Sequence, residues 1–554
     1  MSSVTRRRFC HVAMGTAVLG QPGSAQARAA IARQMTEWSF VSTKKYGDPF
    51  NEVELDVSFE GPNGRRLSVP AFWSGENLWR VRFTPPEPGN WTWRSGCNDT
   101  ANRDLHNQTG TVKAVASEGK NVFEQHGGVR VASNRRTFEH EDGTPFFWLG
   151  DTWWMGLCHR LSWPQDFERL ALDRVAKGFN VVQIVAGLYP DMPPLDQRGA
   201  NEAGFPWLPE FTRIDPAYFD MADLRIEHLV RSGIAPCIVG CWGYFLPVMG
   251  LEKMKRHWRY LVARWGALPV IWCLAGEGTM PYYLSKTKEK DAATQKQGWT
   301  EIARYVRTID GYRHPITIHP SSSARESVDD ATVLDFDMLQ TGHSDRRSIP
   351  NTVAKVRESY AREPKMPVLV GEVCYEGIMQ ASREEVQRFM FWASILSGAG
   401  GHTYGANGIW QVNTTSQPFG ASPHGRSWGD TPWETAYQLP GSFQLGLAKQ
   451  LLGRFEWWRI EPHPEWVEPA WSPQNLFKPF AAGIPGQLRI VYIPDGSSPT
   501  IRGLEQNTSY KAFYWNPVTA KETAPVAVTP DATGNWTAPV SPIFQDWLLV
   551  LSKA

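Results

Sequence analysis

Long apolar runs are missing from this chain. No stretch reaches the roughly 20 apolar residues that cross a bilayer as a helix, so membrane insertion is not expected. A charge excess is missing too: 57 Lys and Arg stand against 56 Asp and Glu, which leaves no surface field to favour nucleic acid or an anionic membrane. Cysteine is scarce, and its seven copies show no metal-binding spacing. Neither a His-Glu-x-x-His helix nor an Asp-rich calcium loop occurs, so no metal and no other cofactor is expected. Cys237 and Cys241 fall in one expected strand, where four residues span roughly 13 Å, beyond the reach of a disulfide. No Gly-x-Ser-x-Gly elbow follows a strand, and no glycine loop of the phosphate-cradling kind is visible.

Aromatic residues are plentiful. The chain holds 26 Trp, whose flat apolar faces fill cores and also stack on sugar rings, so a neutral carbohydrate is the first partner to expect. At 554 residues the chain is too long for one core, and about three domains are expected. The N-terminus carries Thr5-Arg6-Arg7-Arg8-Phe9, an apolar run from Cys10 to Gly20, and a small-residue site at Ala25-Gln26-Ala27. This order is that of a twin-arginine export signal over residues 1–27, which predicts a periplasmic or secreted protein beginning near Arg28.

From residue 28 to about 120, runs such as Val53 to Phe59 and Trp79 to Phe83 alternate apolar and polar residues between turn signals, which predicts a β-sandwich. From about 130 to 456 the pattern changes to strands alternating with amphipathic helices. Eight candidate strands, Phe146–Gly150, Asn180–Ala186, Ile234–Gly240, Val270–Ala275, Ile316–His319, Phe336–Gln340, Val368–Gly371 and Gly401–Tyr404, match the count of a closed (β/α)8 TIM barrel. A doubly wound open sheet is the alternative. Residues 460–554 return to short strands and predict a second sandwich.

Two of the barrel strands end in glutamate. Glu277 closes Pro269 to Glu277 (PVIWCLAGE) and Glu372 closes Pro367 to Glu372 (PVLVGE). A carboxylate from each of two strand ends at one rim is the pair that glycosidic bond cleavage needs: one protonated as general acid, one ionised as nucleophile. Around them, Asp151, Trp153 and Trp154 follow strand one, although Asp151 serves equally well as a cap. Trp242 and Tyr244 follow strand three. His319 ends strand five, His343 follows strand six, and Tyr375 lies three residues after Glu372. His402 and Tyr404 share one face of strand eight, with Trp410 in the loop beyond it. All of these, Tyr244 as a further stacking face, are candidate sugar-binding residues, with His402 and Tyr404 expected to point to the rim.

The segments GTPFFWLGDTWW (Gly143 to Trp154), WCLAGEGTM (Trp272 to Met280), PVLVGEVCYEG (Pro367 to Gly377) and GAGGHTYGANGIW (Gly398 to Trp410) resemble the apiosidase-like catalytic family. The resemblance implies a barrel glycosidase with carboxylates after strands four and seven, Glu277 as acid/base and Glu372 as nucleophile. It also implies a preceding N-terminal sandwich and a C-terminal one similar to a module labelled collagen-binding. Family members often carry Gly-Gly-Asp where this chain has Ala275-Gly276-Glu277, a longer acid. The expected function is that of an exported retaining exo-glycoside hydrolase releasing terminal or side-chain sugars, furanosides such as apiose or arabinose among them. A non-catalytic glycan- or matrix-binding protein on the same scaffold is the alternative.

Overall fold

The structure, a computed structural model, describes residues 26–554. All but the last two residues of the expected export signal lie outside the described residues. The chain divides into two compact units, one ending at Ala116 and the other beginning at Ser117.

In the first unit, strands Gln26–Ile31, Thr109–Val115, Gly89–Cys97, Leu55–Glu60 and Arg66–Pro70 form a five-stranded sheet in that order. Thr36–Val41, Leu78–Phe83 and Phe72–Trp73 form a three-stranded one. Alternate residues of Gly89–Cys97 are buried, as period-two patterning dictates, so Trp91 and Trp93 enter the core. There Phe59 and Phe83 stack at 3.8 Å and Trp93 meets Trp38 at 5.6 Å.

The second unit contains an eight-stranded parallel sheet, the TIM barrel expected from the sequence. Its strands are labelled β1 (Trp148–Thr152), β2 (Val181–Val185), β3 (Ala235–Val239), β4 (Ile271–Cys273), β5 (Ile316–Thr317), β6 (Asp337–Gln340), β7 (Val368–Glu372) and β8 (Gly401–Tyr404). The ladder runs β5-β4-β3-β2-β1-β8-β7-β6. Its two ends meet through Asp335 N–H to Ile316 O (2.8 Å) and Thr317 Oγ1 to Phe336 O (3.0 Å). Around it pack α1 (Gln165–Ala176), α2 (Pro216–Arg231), α3 (Leu251–Trp265), α4 (Lys288–Ile309), α5 (Ile349–Ala361), α6 (Glu384–Ile395) and α7 (Pro440–Leu452).

Local chemistry sets the helix starts. Asp215 accepts a hydrogen bond from Ala217 N–H and Pro216 opens α2, so that helix begins a turn before its apolar pattern does. α4 likewise extends back to Lys288 through a solvated polar stretch that carries no periodicity to read. Residues 145–146 leave β1 and join a small antiparallel sheet with Val129–Val131 and Phe138–His140. Phe138 of that sheet packs on Trp148 (5.4 Å) and Phe336 (5.2 Å).

Strand parity decides which side chains meet the barrel interior. Trp148 donates its indole N–H to Thr403 Oγ1 (3.1 Å), which places Trp148 and Thr403 on the inner face. The residues between them in period, Asp151 on β1 and both His402 and Tyr404 on β8, turn to the helix layer instead.

Residues 461–553 form six- and three-stranded sheets around a core of Trp466, Val491, Ile501, Tyr514, Trp547 and Leu549, among others. This sandwich packs on α6. Arg388 makes a two-pronged pair with Asp546 (2.8 and 2.7 Å), and Phe389 lies among Phe477, Phe480 and Tyr492. All six cysteines among the described residues are buried and free, and no helix there is long and apolar enough to cross a membrane.

Candidate active site

Glu372 is the last residue of β7, and Glu277 follows β4 by four positions at a backbone φ of 42°. Positive φ is costly for a residue with a β-carbon, and it concentrates at sites where neighbours over-determine the geometry. Gln340, the last residue of β6, joins the two acids: its Nε2 lies 3.2 Å from Glu277 Oε1 and 3.1 Å from Glu372 Oε1.

Two imidazoles face Glu372. The backbone N–H of Tyr375 donates to His343 Nδ1 (3.4 Å), which leaves Nε2 to carry the proton toward Glu372 Oε1 at 2.6 Å. The backbone N–H of Glu277 does the same for His319 (3.4 Å), and His319 Nε2 stands 3.0 Å from Glu372 Oε2, off the line of a well-formed hydrogen bond. Burial alone pushes the Glu372 carboxyl up, but the two imidazoles outweigh it and hold the group well below the usual carboxylate range. Burial and then the adjacent Glu372 charge push Glu277 the other way, to about 7.

Aromatic side chains enclose the pair. Trp154 lies edge-on to Trp242 (5.5 Å) and His319 (5.2 Å), and donates its N–H to the Tyr375 hydroxyl (3.1 Å). Burial, then the Glu372 charge, keep the Tyr375 phenol firmly protonated. Tyr375 also packs on His343 (4.7 Å) and Trp410 (6.4 Å). The Trp242 ring lies against Gly276, where a Cβ would come within 2.2 Å of it. Glycine before Glu277 is therefore what lets the indole lie beside the acid.

Trp154, Trp242, His319, His343, Tyr375 and Trp410 thus gather around the two carboxyls. Asp151, Trp153, His402 and Tyr404 do not, and the expectation that His402 and Tyr404 point to the rim is corrected. Asp151 is fully buried and pairs with Arg174 of α1 (2.5 Å) while accepting the Trp153 indole N–H (2.7 Å). Trp153 packs on Phe167 of α1 at 5.5 Å. His402 faces Phe391 of α6 at 5.5 Å, and burial pushes its pKa down to about 3. Tyr404 donates its hydroxyl to Glu376, whose carboxylate also accepts Gly441 N–H at the start of α7. Both faces of a barrel strand are apolar, so the sequence left the parity of β1 and β8 open. Tyr244, offered as a stacking face, is buried, with its hydroxyl bonded to Tyr189 O (2.7 Å).

Gln340 was missed, although a polar residue closing an apolar strand is the same signal that marked Glu277 and Glu372. Asp191 was missed as well. It lies in the β2 loop, buried, and accepts from Ser422 of the β8 loop; burial first, then loop hydrogen bonds, shape its carboxyl, whose affinity for protons ends up raised.

Comparison with known proteins matches residues 132–459 to the family described as "Apiosidase-like, catalytic domain". The chain belongs to the apiosidase-like family. The match covers more than half of the chain and includes both carboxylates, and it makes the protein glycoside-hydrolase-like. Residues 34–98 match a domain of unknown function (DUF5060). No curated protein sequence matches. Among solved structures, one described as a glycoside hydrolase shares 21% identity at a TM-score of 0.64, covering 79% of this chain and 99% of its own. A glycoside hydrolase family 5 structure from Bacteroides vulgatus ATCC 8482 shares 22% at 0.62, covering 77% and 94%. A further Bacteroides vulgatus ATCC 8482 chain, provisionally assigned as a glycoside hydrolase, shares 18% at 0.69, covering 95% and 100%. At these identities the likeness is one of fold.

Proposed function

We propose that the protein is a retaining exo-glycoside hydrolase that releases terminal or side-chain sugars from complex glycans. The observation that carries this reading is the pair of glutamates, one closing β7 and one four residues after β4, joined by one amide nitrogen, with burial and the Glu372 charge raising the proton affinity of Glu277 and two imidazoles lowering that of Glu372. The two bonds, 3.2 and 3.1 Å, keep the two bonded carboxyl oxygens closer together than the ~6.5–9.5 Å between the carboxyls of inverting enzymes, which supports the retaining course.

In the first half of the cycle Glu277 gives its proton to the leaving oxygen as the Glu372 carboxylate attacks the anomeric carbon, forming a glycosyl-enzyme ester. Glu277, now ionised, then removes a proton from water, which attacks the same carbon, frees the sugar and restores both groups. His319 and His343 keep the nucleophile unprotonated in a buried site, and Tyr375 and the indoles exclude water from it. A blind pocket is favoured by the stitching of the β2 and β8 loops, where Arg198 donates to Phe419 O (3.1 Å) and Ala421 O (3.3 Å).

A panel of aryl furanosides and pyranosides tests the reading with wild type, Glu277→Ala and Glu372→Ala. Glu372→Ala should lose activity by at least 10⁴-fold, while Glu277→Ala should fall most on poor leaving groups and least on activated ones. Turnover unchanged in both variants overturns the assignment. We also propose export through the Arg6-Arg7 motif, which requires that Arg6→Lys together with Arg7→Lys retain the precursor in the cytoplasm; secretion undiminished by that change rejects it.

A further inference from the structure

Buried polar atoms in folded proteins mostly find partners, and one left without a partner inside a site calls for a water, an ion or a ligand to complete it. Beside the two carboxyls, apart from His319 Nε2 and Glu372 Oε2, which face each other at 3.0 Å, three such atoms stand unpartnered: Gln340 Oε1, an acceptor, and the indole N–H groups of Trp242 and Trp410, both donors. Gln340 is the informative one, because its Nε2 is already committed to Glu277 and Glu372.

An amide in contact with both the proton donor and the attacking carboxylate has to lie beside the anomeric carbon. That carbon has three polar surroundings. The leaving oxygen takes its proton from Glu277, and the ring oxygen has no hydrogen to give. Only the hydroxyl on the adjacent ring carbon can donate to an amide oxygen. Resting on the glycosidase reading above, we infer that Gln340 recognises that hydroxyl, with Oε1 accepting its hydrogen bond while Nε2 holds the nucleophile. The substrates are then glycosyl residues whose neighbouring hydroxyl is free, which excludes 2-deoxy and 2-O-substituted sugars. As positive charge grows on the anomeric carbon, the hydroxyl becomes a stronger donor, so the contact tightens in the transition state and is read in kcat as well as in KM.

The test pairs the 4-nitrophenyl glycoside that wild type cleaves fastest with its 2-deoxy analogue, on wild type and Gln340→Ala. The ratio of the two penalties cancels the different intrinsic reactivity of a deoxy sugar. Loss of the hydroxyl should cost the wild type roughly 100-fold in kcat/KM and cost Gln340→Ala less than about 5-fold. Gln340→Leu, which keeps the volume, is read in the same way should the alanine variant lose its fold by circular dichroism. Equal penalties in wild type and variant, with turnover that depends on Glu372, overturn this inference alone. Absence of turnover by wild type on every glycoside, or turnover that survives Glu372→Ala, overturns the proposed function and this inference with it.

Discussion

Glu277 and Glu372 are chemically identical side chains with opposite proton affinities, and their immediate contacts explain the difference. Glu372 is hydrogen-bonded to the His343 imidazole and has His319 Nε2 3.0 Å away, while Glu277 shares one amide with a neighbour that is already charged. The rate should therefore fall as pH rises through about 7, where Glu277 loses its proton, and a kcat/KM profile should place the basic limb there. Stability carries the same signature. A carboxyl raised from 4.5 to about 7 on folding binds more protons in the native state than in the unfolded one. It has no effect on stability below pH 4.5, costs progressively more between 4.5 and 7, and costs most above 7. Glu277→Gln removes that cost, so the variant should be more stable than wild type by up to about 3 kcal/mol at pH 8 and equal to it near pH 4. Denaturant titrations at the two pH values check this, and a variant no more stable at pH 8 would contradict the assignment of a protonated Glu277.

The strands and their ends were legible in the sequence, but the facing of their side chains was not. Glu277, Glu372 and His319 could be found because each is a polar residue where an apolar run stops, and His343 because it follows β6. Asp151 and Tyr404 stand at strand ends of the same look, yet they sit one position out of phase with the interior. In a strand buried on both sides, apolar neighbours give no clue to phase. The two outward residues hold the helix layer, which predicts a variant that separates stability from activity. Asp151→Asn leaves the Arg174 guanidinium, fully buried, with only Asp173 as a charged partner. It should cost about 3 kcal/mol in urea unfolding while the folded enzyme keeps kcat/KM within about threefold. A hundredfold loss of activity in a fully folded variant would return Asp151 to the substrate. Gly276→Ala should behave in the opposite way. Its methyl group meets the Trp242 ring, which must shift from its place beside Glu277, so kcat/KM should fall tenfold or more at a stability cost of about 1–3 kcal/mol.

At the scale of the molecule, the trailing sandwich and the barrel form one compact unit because α6, which follows the nucleophile's strand, contributes buried groups to both. Short apolar runs at 488–493, 510–515 and 547–553 made the sandwich strands readable, but no local pattern in α6 shows that Arg388 reaches Asp546, 158 residues away. That pair is nearly sealed, with side-chain exposures of 7% and 8%, and Arg388 has Gln444 of α7 as its other partner. Asp546→Ala strands a buried guanidinium at the junction, and such a loss typically costs about 3–5 kcal/mol. The carboxyl pair and its polar partners Gln340, His319 and His343 come from the ends of β4 to β7, whereas the Arg388–Asp546 pair joins α6 to the sandwich. The variant should therefore unfold at lower denaturant and expose the sandwich to limited proteolysis first, yet turn over substrate at close to the wild-type rate while folded. Replacing the whole pair, with Arg388→Met and Asp546→Leu together, should recover most of the lost stability, because two apolar side chains bury there without an unpaired charge. If instead the single variant loses activity with its unfolding midpoint unchanged, the junction acts on the site through α6, and the sandwich is part of the catalytic architecture.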